Sequence, residues 1–248
     1  MEITWLTAFI DRGASSFEES LRFWEATTAT RASTPRGRLG EFVTLQPARG
    51  AAHVRVQRTA DESNGTHLDF HVADPESAVE DAVALGASAP TSGTFGLRSP
   101  GGLEMCFVAD DGHRDVAPPD LLDPPCVVDQ VCVDIPADLF ETEVRFWEEL
   151  TGWPLHRSPL AEFAYLERQP ELPLRLLLQK LGPDDAGVAV RAHLDLSTGD
   201  QRERVTAQHE ELGATAHFTG RYWTTLTDPG GAEYCLTMRD PTTGSLPG

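Results

Sequence analysis

The stretch HLDFHVADPESAVEDAVALGA (residues 67–87) decides the fold, because the chain repeats it as HLDLSTGDQRERVTAQHEELGA (residues 193–214). Three further segments recur in the same order, at a nearly constant spacing of about 125 positions. They are FEESLRFWE (17–25) with FETEVRFWE (140–148), GEFVTL (40–45) with AEFAYL (161–166), and PGGLEMC (100–106) with PGGAEYC (229–235). The chain is therefore predicted to be an internal duplication.

The two copies are separated by DDGHRDVAPPDLLDPP (residues 110–125), which is rich in proline and aspartate and has no periodicity. Such a composition is typical of a linker. The sequence predicts a first domain over residues 1–112, a linker over 113–123, a second domain over 124–240 and a tail over 241–248.

Each copy is predicted to contain two βαβββ modules. The segments FEESLRFWE and FETEVRFWE place their Phe and Trp residues at helical spacing, which indicates an apolar stripe facing a core. The stretches that start at His67 and His193 read as a strand followed by a helix, with Asp74 and Asp200 as candidate N-caps. The predicted fold class is α+β, with four βαβββ modules forming two tandem domains whose mixed sheets are cupped.

Alternation along the strands separates an apolar face from a polar one. In the strand that starts at His193, Leu194 and Leu196 point to one side, whereas His193 and Asp195 point to the other. The same parity in the last strand places Cys235 on the polar side. The apolar face is expected to be covered by the Phe- and Trp-bearing helices, and the polar face to line a cup that binds a small molecule.

Composition narrows the possible partners. The 248 residues carry a formal net charge of −19, which argues against nucleic acid as a partner. No apolar run approaches the roughly 20 residues that span a bilayer, so a membrane partner is not expected either.

The four cysteines form no CxxC pair and are expected to be reduced thiols in a cytoplasmic protein. Either a monomer or a homodimer is compatible with the sequence.

The repeated motifs resemble those of a known superfamily. The Phe-Trp helices, the pattern HLDL…D…LGA…W…DPGGAEYCL (193–236) and the segment LRLLLQKLGP (174–183) are similar to the vicinal oxygen chelate superfamily. Within it, the closest likeness is to glyoxalase-like, bleomycin-resistance-like domains of actinobacterial type. The resemblance covers almost the whole chain and is strongest over residues 126–239. It implies two tandem glyoxalase/bleomycin-resistance/dioxygenase-like domains.

The resemblance also implies a metal site. In metal-dependent members of the superfamily, the ligands come from the first and later strands of the modules. Carried over by position, the implied ligands are Gln130, Gln179, His193 and Cys235. Cys235 stands where the family has a glutamate, six residues after the turn proline. The implied cofactor is one divalent metal (Zn, Ni, Fe or Mn) or none.

The implied activity is that of an enzyme acting on a small oxygenated metabolite, aromatic or polyketide-like, in the cup of the second domain. Lyase, isomerase or cyclase chemistry suits such a site, with His193 and Glu233 as the catalytic acid and base. The expected substrate contacts are Trp153, Tyr222, Trp223, His67 and Glu104. An extradiol dioxygenase is disfavoured, because its iron site of two histidines and one carboxylate would need a histidine at Gln130.

A non-catalytic role is the alternative. The superfamily also includes proteins that bind and sequester an antibiotic without turnover, and the absence of the glutamate ligand favours that interpretation. The partner is then a drug rather than a substrate.

Overall fold

The computed structural model describes residues 1–62, 64–88, 96–110, 112, 123–185 and 189–247. The first half of the chain forms a seven-stranded mixed sheet in the order β2-β3-β4-β1-β5-β7-β6. Its strands and helices are β1 (Ile3–Arg12), α1 (Phe17–Thr28), β2 (Arg31–Ala32), β3 (Phe42–Gln46), β4 (Val54–Arg58), β5 (Gly65–Val72), α2 (Pro75–Ala84), β6 (Gly96–Arg98) and β7 (Glu104–Ala109).

The second half forms an eight-stranded mixed sheet in the order β13-β14-β15-β12-β8-β11-β10-β9. Its elements are β8 (Val127–Ile135), α3 (Phe140–Thr151), β9 (Leu155–Arg157), β10 (Phe163–Leu166), β11 (Arg175–Lys180), β12 (Arg191–Ser197), α4 (Arg202–Glu211), β13 (Thr215–Thr219), β14 (Trp223–Thr227) and β15 (Glu233–Thr237). The predicted α+β class is confirmed. Among the described residues, no helix is both long enough and apolar enough to cross a membrane.

The first, third and fourth modules each show a strand, a helix and three further strands. In the second module, α2 is followed by an isolated bridge between Ser88 and Arg98 and then by β6 and β7. Residues 89–95 of this module lie outside the described part of the chain, as do residues 113–122 of the predicted linker. The domain boundaries therefore stay predictions.

The two candidate N-caps behave differently. Asp74 accepts a hydrogen bond from the backbone N–H of Ser77 at 3.1 Å, which confirms it as the cap of α2. The prediction for Asp200 is wrong. The chain enters α4 through a 3-10 turn over Gly199–Gln201, with Gly199 at a φ of 60°, so the helix begins only at Arg202. The Asp200 carboxylate instead accepts a hydrogen bond from Gln201 Nε2 at 2.8 Å.

The chain folds into two compact units, each built from segments of both halves. The first unit comprises Met1–Ala8, Thr66–His113 and Val131–Ala192, and the second comprises Phe9–Gly65, Arg114–Gln130 and His193–Gly248.

The core of the first compact unit joins a helix and a strand from different halves of the chain. Trp147 of α3 stacks on Phe70 of β5 with 6.0 Å between ring centroids, and both side chains are fully buried. Phe70 in turn packs against Phe107 of β7. The helix of the second half thus covers a strand of the first half.

The second compact unit repeats this arrangement with the halves exchanged. Trp24 of α1 packs against Tyr234 of β15, with 5.3 Å between ring centroids, and Phe23 packs against His209 of α4 at 5.6 Å. The prediction that these helices cover the apolar strand faces is confirmed, and each helix covers a strand of the other half.

His209 is a buried histidine at the centre of this second core. Its Nδ1 lies 2.8 Å from the Tyr234 hydroxyl, and its Nε2 lies 3.8 Å from Cys126 Sγ. Burial lowers the pKa of His209 from 6.5 to about 4. The imidazole is therefore neutral in the folded protein near neutral pH.

His209 makes the fold sensitive to mild acid. The unfolded chain binds this proton near pH 6.5, whereas the folded chain binds it only near pH 4. The contribution of His209 to the free energy of unfolding is therefore fully present above pH 6.5. It is lost as the pH falls towards 4, which lowers the free energy of unfolding by up to about 3 kcal/mol. We expect His209→Asn to lose less stability than the wild type between pH 7 and pH 4.5 in urea unfolding. Equal losses in the two proteins would contradict this assignment.

Candidate functional site

The polar face of β12 carries a histidine–aspartate pair in the second compact unit. His193 and Asp195 are two residues apart on one strand, so their side chains project from the same face. His193 Nε2 lies 3.2 Å from Asp195 Oδ1, and the two side chains are only 12 % and 5 % exposed. This pair is shielded from bulk water, which strengthens the electrostatic interaction between its members.

The second carboxylate oxygen of Asp195 is held by two further residues. Gln130 of β8 donates a hydrogen bond from Nε2 to Asp195 Oδ2, and Arg239 Nη1 lies 3.9 Å from the same oxygen. Arg239 is itself fixed by Asp129, to which it donates from Nε at 3.2 Å and from Nη2 at 2.8 Å. These contacts fix the orientation of the Asp195 carboxylate towards His193.

Cys235 completes the group at His193. It lies on β15, directly opposite Asp195 in the parallel pairing of β12 with β15. Its Sγ is 3.5 Å from His193 Nε2 and 3.5 Å from Thr225 Oγ1. Cys235 and Asp195 therefore both approach the same imidazole nitrogen. A relay of the Cys-His-Asp type needs the thiol and the carboxylate on opposite nitrogens, so this geometry does not build a cysteine nucleophile.

The four implied metal ligands are divided between the two compact units. The second unit contains Gln130, His193 and Cys235. There the Asp195 carboxylate contacts both the side-chain amide of Gln130 and the imidazole of His193. Gln179 belongs to the first unit, where its Oε1 accepts a hydrogen bond from Cys132 Sγ at 3.4 Å.

A related group lies on the polar face of the first half. His67 and Asp69 occupy β5 with 3.7 Å between Nε2 and Oδ1, and Cys106 lies opposite Asp69 on the parallel strand β7. Donor atoms of these three residues all lie within 4.8 Å of one another. On the same face, Thr7 of β1 forms a hydrogen bond with His71 Nε2 at 3.0 Å.

The two predicted glutamates lie at exposed strand ends. Glu104 begins β7, is largely exposed and forms an ion pair with Arg98 at 2.6 Å. Glu233 begins β15, is exposed and pairs in register with Thr227. It precedes Cys235 by two residues, or about 7 Å along the strand.

The predicted aromatic contacts differ in exposure. Trp153 is buried just after α3. Tyr222 is half-buried, with the Arg221 guanidinium 4.9 Å from its ring centroid. Trp223 is also half-buried and lies 6.0 Å from the ring of Phe218. Their roles as substrate contacts stay predictions.

A separate small cavity of about 40 Å³ lies in the second compact unit, and none of the predicted site residues lines it. It is lined by Thr28, Thr30, Leu45, Pro47, His53, Val54, Cys126, Val127 and Val128. His53 Nε2 is engaged with the carbonyl of Val128 at 2.9 Å. Burial raises the pKa of the Cys126 thiol to about 12, so this side chain lines the cavity as an uncharged thiol.

Of the residues around His193, Gln130 and Cys235 were predicted from the sequence, whereas Asp195 and Arg239 were given no role. Strand parity already placed Asp195 and Asp69 beside the two histidines, so these aspartates were identifiable. Arg239 gave no such signal, because it follows the last strand and reaches Asp129 from 110 positions away.

Solved structures of similar fold cover nearly the whole chain. A Mn(II)-bound glyoxalase from Novosphingobium aromaticivorans is 15% identical over 99% of this chain and 86% of its own, with a TM-score of 0.62. The 2,2',3-trihydroxybiphenyl 1,2-dioxygenase of Sphingomonas wittichii RW1 is 14% identical over 99% and 95%, with a TM-score of 0.61. The 2,3-dioxygenase LapB of Pseudomonas sp. KL28 is 13% identical over 100% and 95%, with a TM-score of 0.63. At these identities the likeness shows the fold alone.

The sequence itself assigns the family. No curated protein matches the chain. The profile of the family described as "Glyoxalase-like domain" matches twice, over residues 7–108 and 130–237. The two matches begin at Thr7 of β1 and Gln130 of β8, which have the same spacing as Phe17 and Phe140 of the repeated helices. Since the matches span most of the chain and both sheets follow the tandem arrangement, the chain belongs to the glyoxalase-like family of the vicinal oxygen chelate superfamily.

Proposed function

We propose that the chain is an enzyme that moves a proton on a small oxygenated metabolite at His193, in lyase, isomerase or cyclase-type chemistry. The observation that carries this proposal is the buried pair of His193 and Asp195, with Asp195 held by Gln130 and Arg239. A histidine with an oriented carboxylate partner is the commonest general base in enzymes. The polar face of a glyoxalase-like cup is a suitable place for it.

The chemistry follows from the arrangement of charges. In this step His193 takes a proton at Nδ1 from a carbon next to a carbonyl group. Its Nε2–H faces Asp195, which stabilises the imidazolium that forms. Because Gln130 and Arg239 fix the carboxylate, it need not reorganise during the step. Glu233, at the exposed start of β15, is the candidate acid that returns a proton to the product.

Donor atoms of the types that bind divalent ions lie near His193. Its Nε2 is 3.2 Å from Asp195 Oδ1 and 3.5 Å from Cys235 Sγ, an oxygen and a sulfur of the kinds that zinc-type ions bind. A bound ion would supply Lewis-acid polarisation of the substrate carbonyl. Gln130 and Gln179 are less suited as ligands, since their amides are engaged with Asp195 and Cys132. His193 Nε2 carries either a proton or a metal ion. Arg239 is bound to Asp129 and also lies 3.9 Å from Asp195, so its positive charge disfavours a second cation beside His193, and proton transfer is the use we favour.

A binding protein without turnover is the second candidate. The observation that favours it is Cys235 at the position of the family's glutamate ligand. Such a protein would hold an oxygenated drug in the same cup and leave it unchanged.

Solvent exchange separates the two candidates. A panel of small carbonyl compounds, both aliphatic and aromatic, is incubated with untagged protein in D2O containing EDTA and followed by NMR. We expect the protein to incorporate deuterium next to the carbonyl of at least one compound, because a general base exchanges this proton without metal. Tight binding of panel members with no exchange by the protein would favour the binding role instead.

A further inference from the structure

The first half carries a second cluster of ligand-type side chains, which the proposed function does not use. His67 and Asp69 project from the same face of β5, and Cys106 of β7 is paired in register with Asp69. The donor atoms of all three lie within 4.8 Å of one another. All three residues belong to the first compact unit.

The burial of this cluster suits a bound ion. The side chains of His67 and Asp69 are 11 % and 9 % exposed, whereas Cys106 is more accessible. The neighbouring His71 uses its Nε2 to contact Thr7 at 3.0 Å, so that nitrogen does not compete for the same place. His67 and Asp69 are thus largely shielded from water, whereas the Cys106 side chain is partly exposed.

The two halves differ in charge beside the equivalent residues. Four residues after Cys235 the chain has Arg239, which pairs with Asp129 and lies 3.9 Å from Asp195. Four residues after Cys106 it has Asp110. The first-half position thus carries an acid where the second half carries an arginine, and the Asp110 carboxylate accepts a hydrogen bond from the backbone N–H of Gly112 at 2.9 Å.

We propose that His67, Asp69 and Cys106 bind a thiophilic divalent cation of the zinc type. In a tetrahedral zinc site, bond lengths of about 2.0–2.3 Å place neighbouring ligand atoms about 3.3–3.5 Å apart. The 3.7 Å between His67 Nε2 and Asp69 Oδ1 therefore needs only a small side-chain adjustment. The thiol of Cys106 loses its proton on binding, and its sulfur selects against Mg²⁺, Ca²⁺ and Mn²⁺. This site does not depend on proton transfer at His193.

Cobalt titration tests the proposal directly. Untagged full-length protein is stripped with a chelator and titrated with Co²⁺, which occupies zinc-type sites and absorbs through thiolate-to-cobalt charge transfer. We expect a thiolate-to-cobalt band that saturates at about one equivalent. Cys106→Ser should abolish this band and weaken binding by at least about 100-fold. Cys235→Ser is the matched control, because Cys235 occupies the same register position in the second half, and it should keep the band.

His67→Asn provides a second, independent variant, since it keeps all four thiols and should also lose the band. Circular dichroism confirms that each variant is folded. The proposal is overturned if the wild type shows no thiolate-to-cobalt band. It is also overturned if the band survives in folded Cys106→Ser and His67→Asn, or if Cys235→Ser removes it while Cys106→Ser does not.

Discussion

Replacing Asp228 by alanine is expected to destabilise the protein by about 3–5 kcal/mol, because it leaves a buried arginine without its counter-ion. Asp228 Oδ2 accepts hydrogen bonds from Arg12 Nη2 at 2.5 Å and from Trp24 Nε1 at 2.8 Å. The side chains of this ion pair are 2 % and 0 % exposed. Urea unfolding followed by tryptophan fluorescence measures the loss.

The exposed pair of Arg98 and Glu104 provides the control. Its distance of 2.6 Å is nearly the same as that of the buried pair, but its side chains are 63 % and 60 % exposed. Water and salt screen such a pair, so Glu104→Ala should cost less than about 1 kcal/mol. Similar losses for Asp228→Ala and Glu104→Ala would show that burial does not decide the strength of the Arg12 contact.

Removing the imidazole of His193 is expected to lower the rate of proton exchange by about 10²–10⁴-fold, the usual contribution of a general base. Asp195→Asn should lower it by at least about tenfold, because a neutral amide does not stabilise the imidazolium. Asp195 acts only through the imidazole of His193, so the double variant should lose little more than His193→Ala alone. The rates are measured in the D2O assay with any compound that the wild type exchanges.

His217→Ala is the matched control for this series. His217 is exposed on β13 and contacts Thr227 Oγ1 at 2.5 Å. In the sheet, β14 and β15 lie between β13 and β12. Removal of the His217 side chain should leave the exchange rate unchanged. If His217→Ala and His193→Ala lowered the exchange rate equally, the loss of exchange could not be assigned to the pair of His193 and Asp195.

Local patterns predicted the elements of the fold well. The repeat of HLD at His67 and His193 indicated two equivalent strands, and alternation separated their apolar residues from the polar ones. The apolar stripes of α1 and α3 indicated helices that cover a sheet. These features depend on periodicities of 2 and 3.6 residues, which can be recognised within a single strand or helix.

Long-range pairing was not predictable from those patterns. The stripe of α3 indicates a buried face, but either sheet offers an apolar surface, and Trp147 in fact packs on Phe70 of the other half. The same applies to the site. Parity placed Asp195 beside His193, whereas the contact of Arg239 with Asp129 depends on how β8 and β15 are brought together.

The most direct test of the account is the ratio of exchange rates between the wild type and His193→Ala. It is measured in D2O with EDTA, on one carbonyl compound bound by both proteins. A general base at His193 predicts a ratio of about 10²–10⁴. A ratio near one, with both proteins folded and binding the compound, would contradict the central claim that His193 moves the proton.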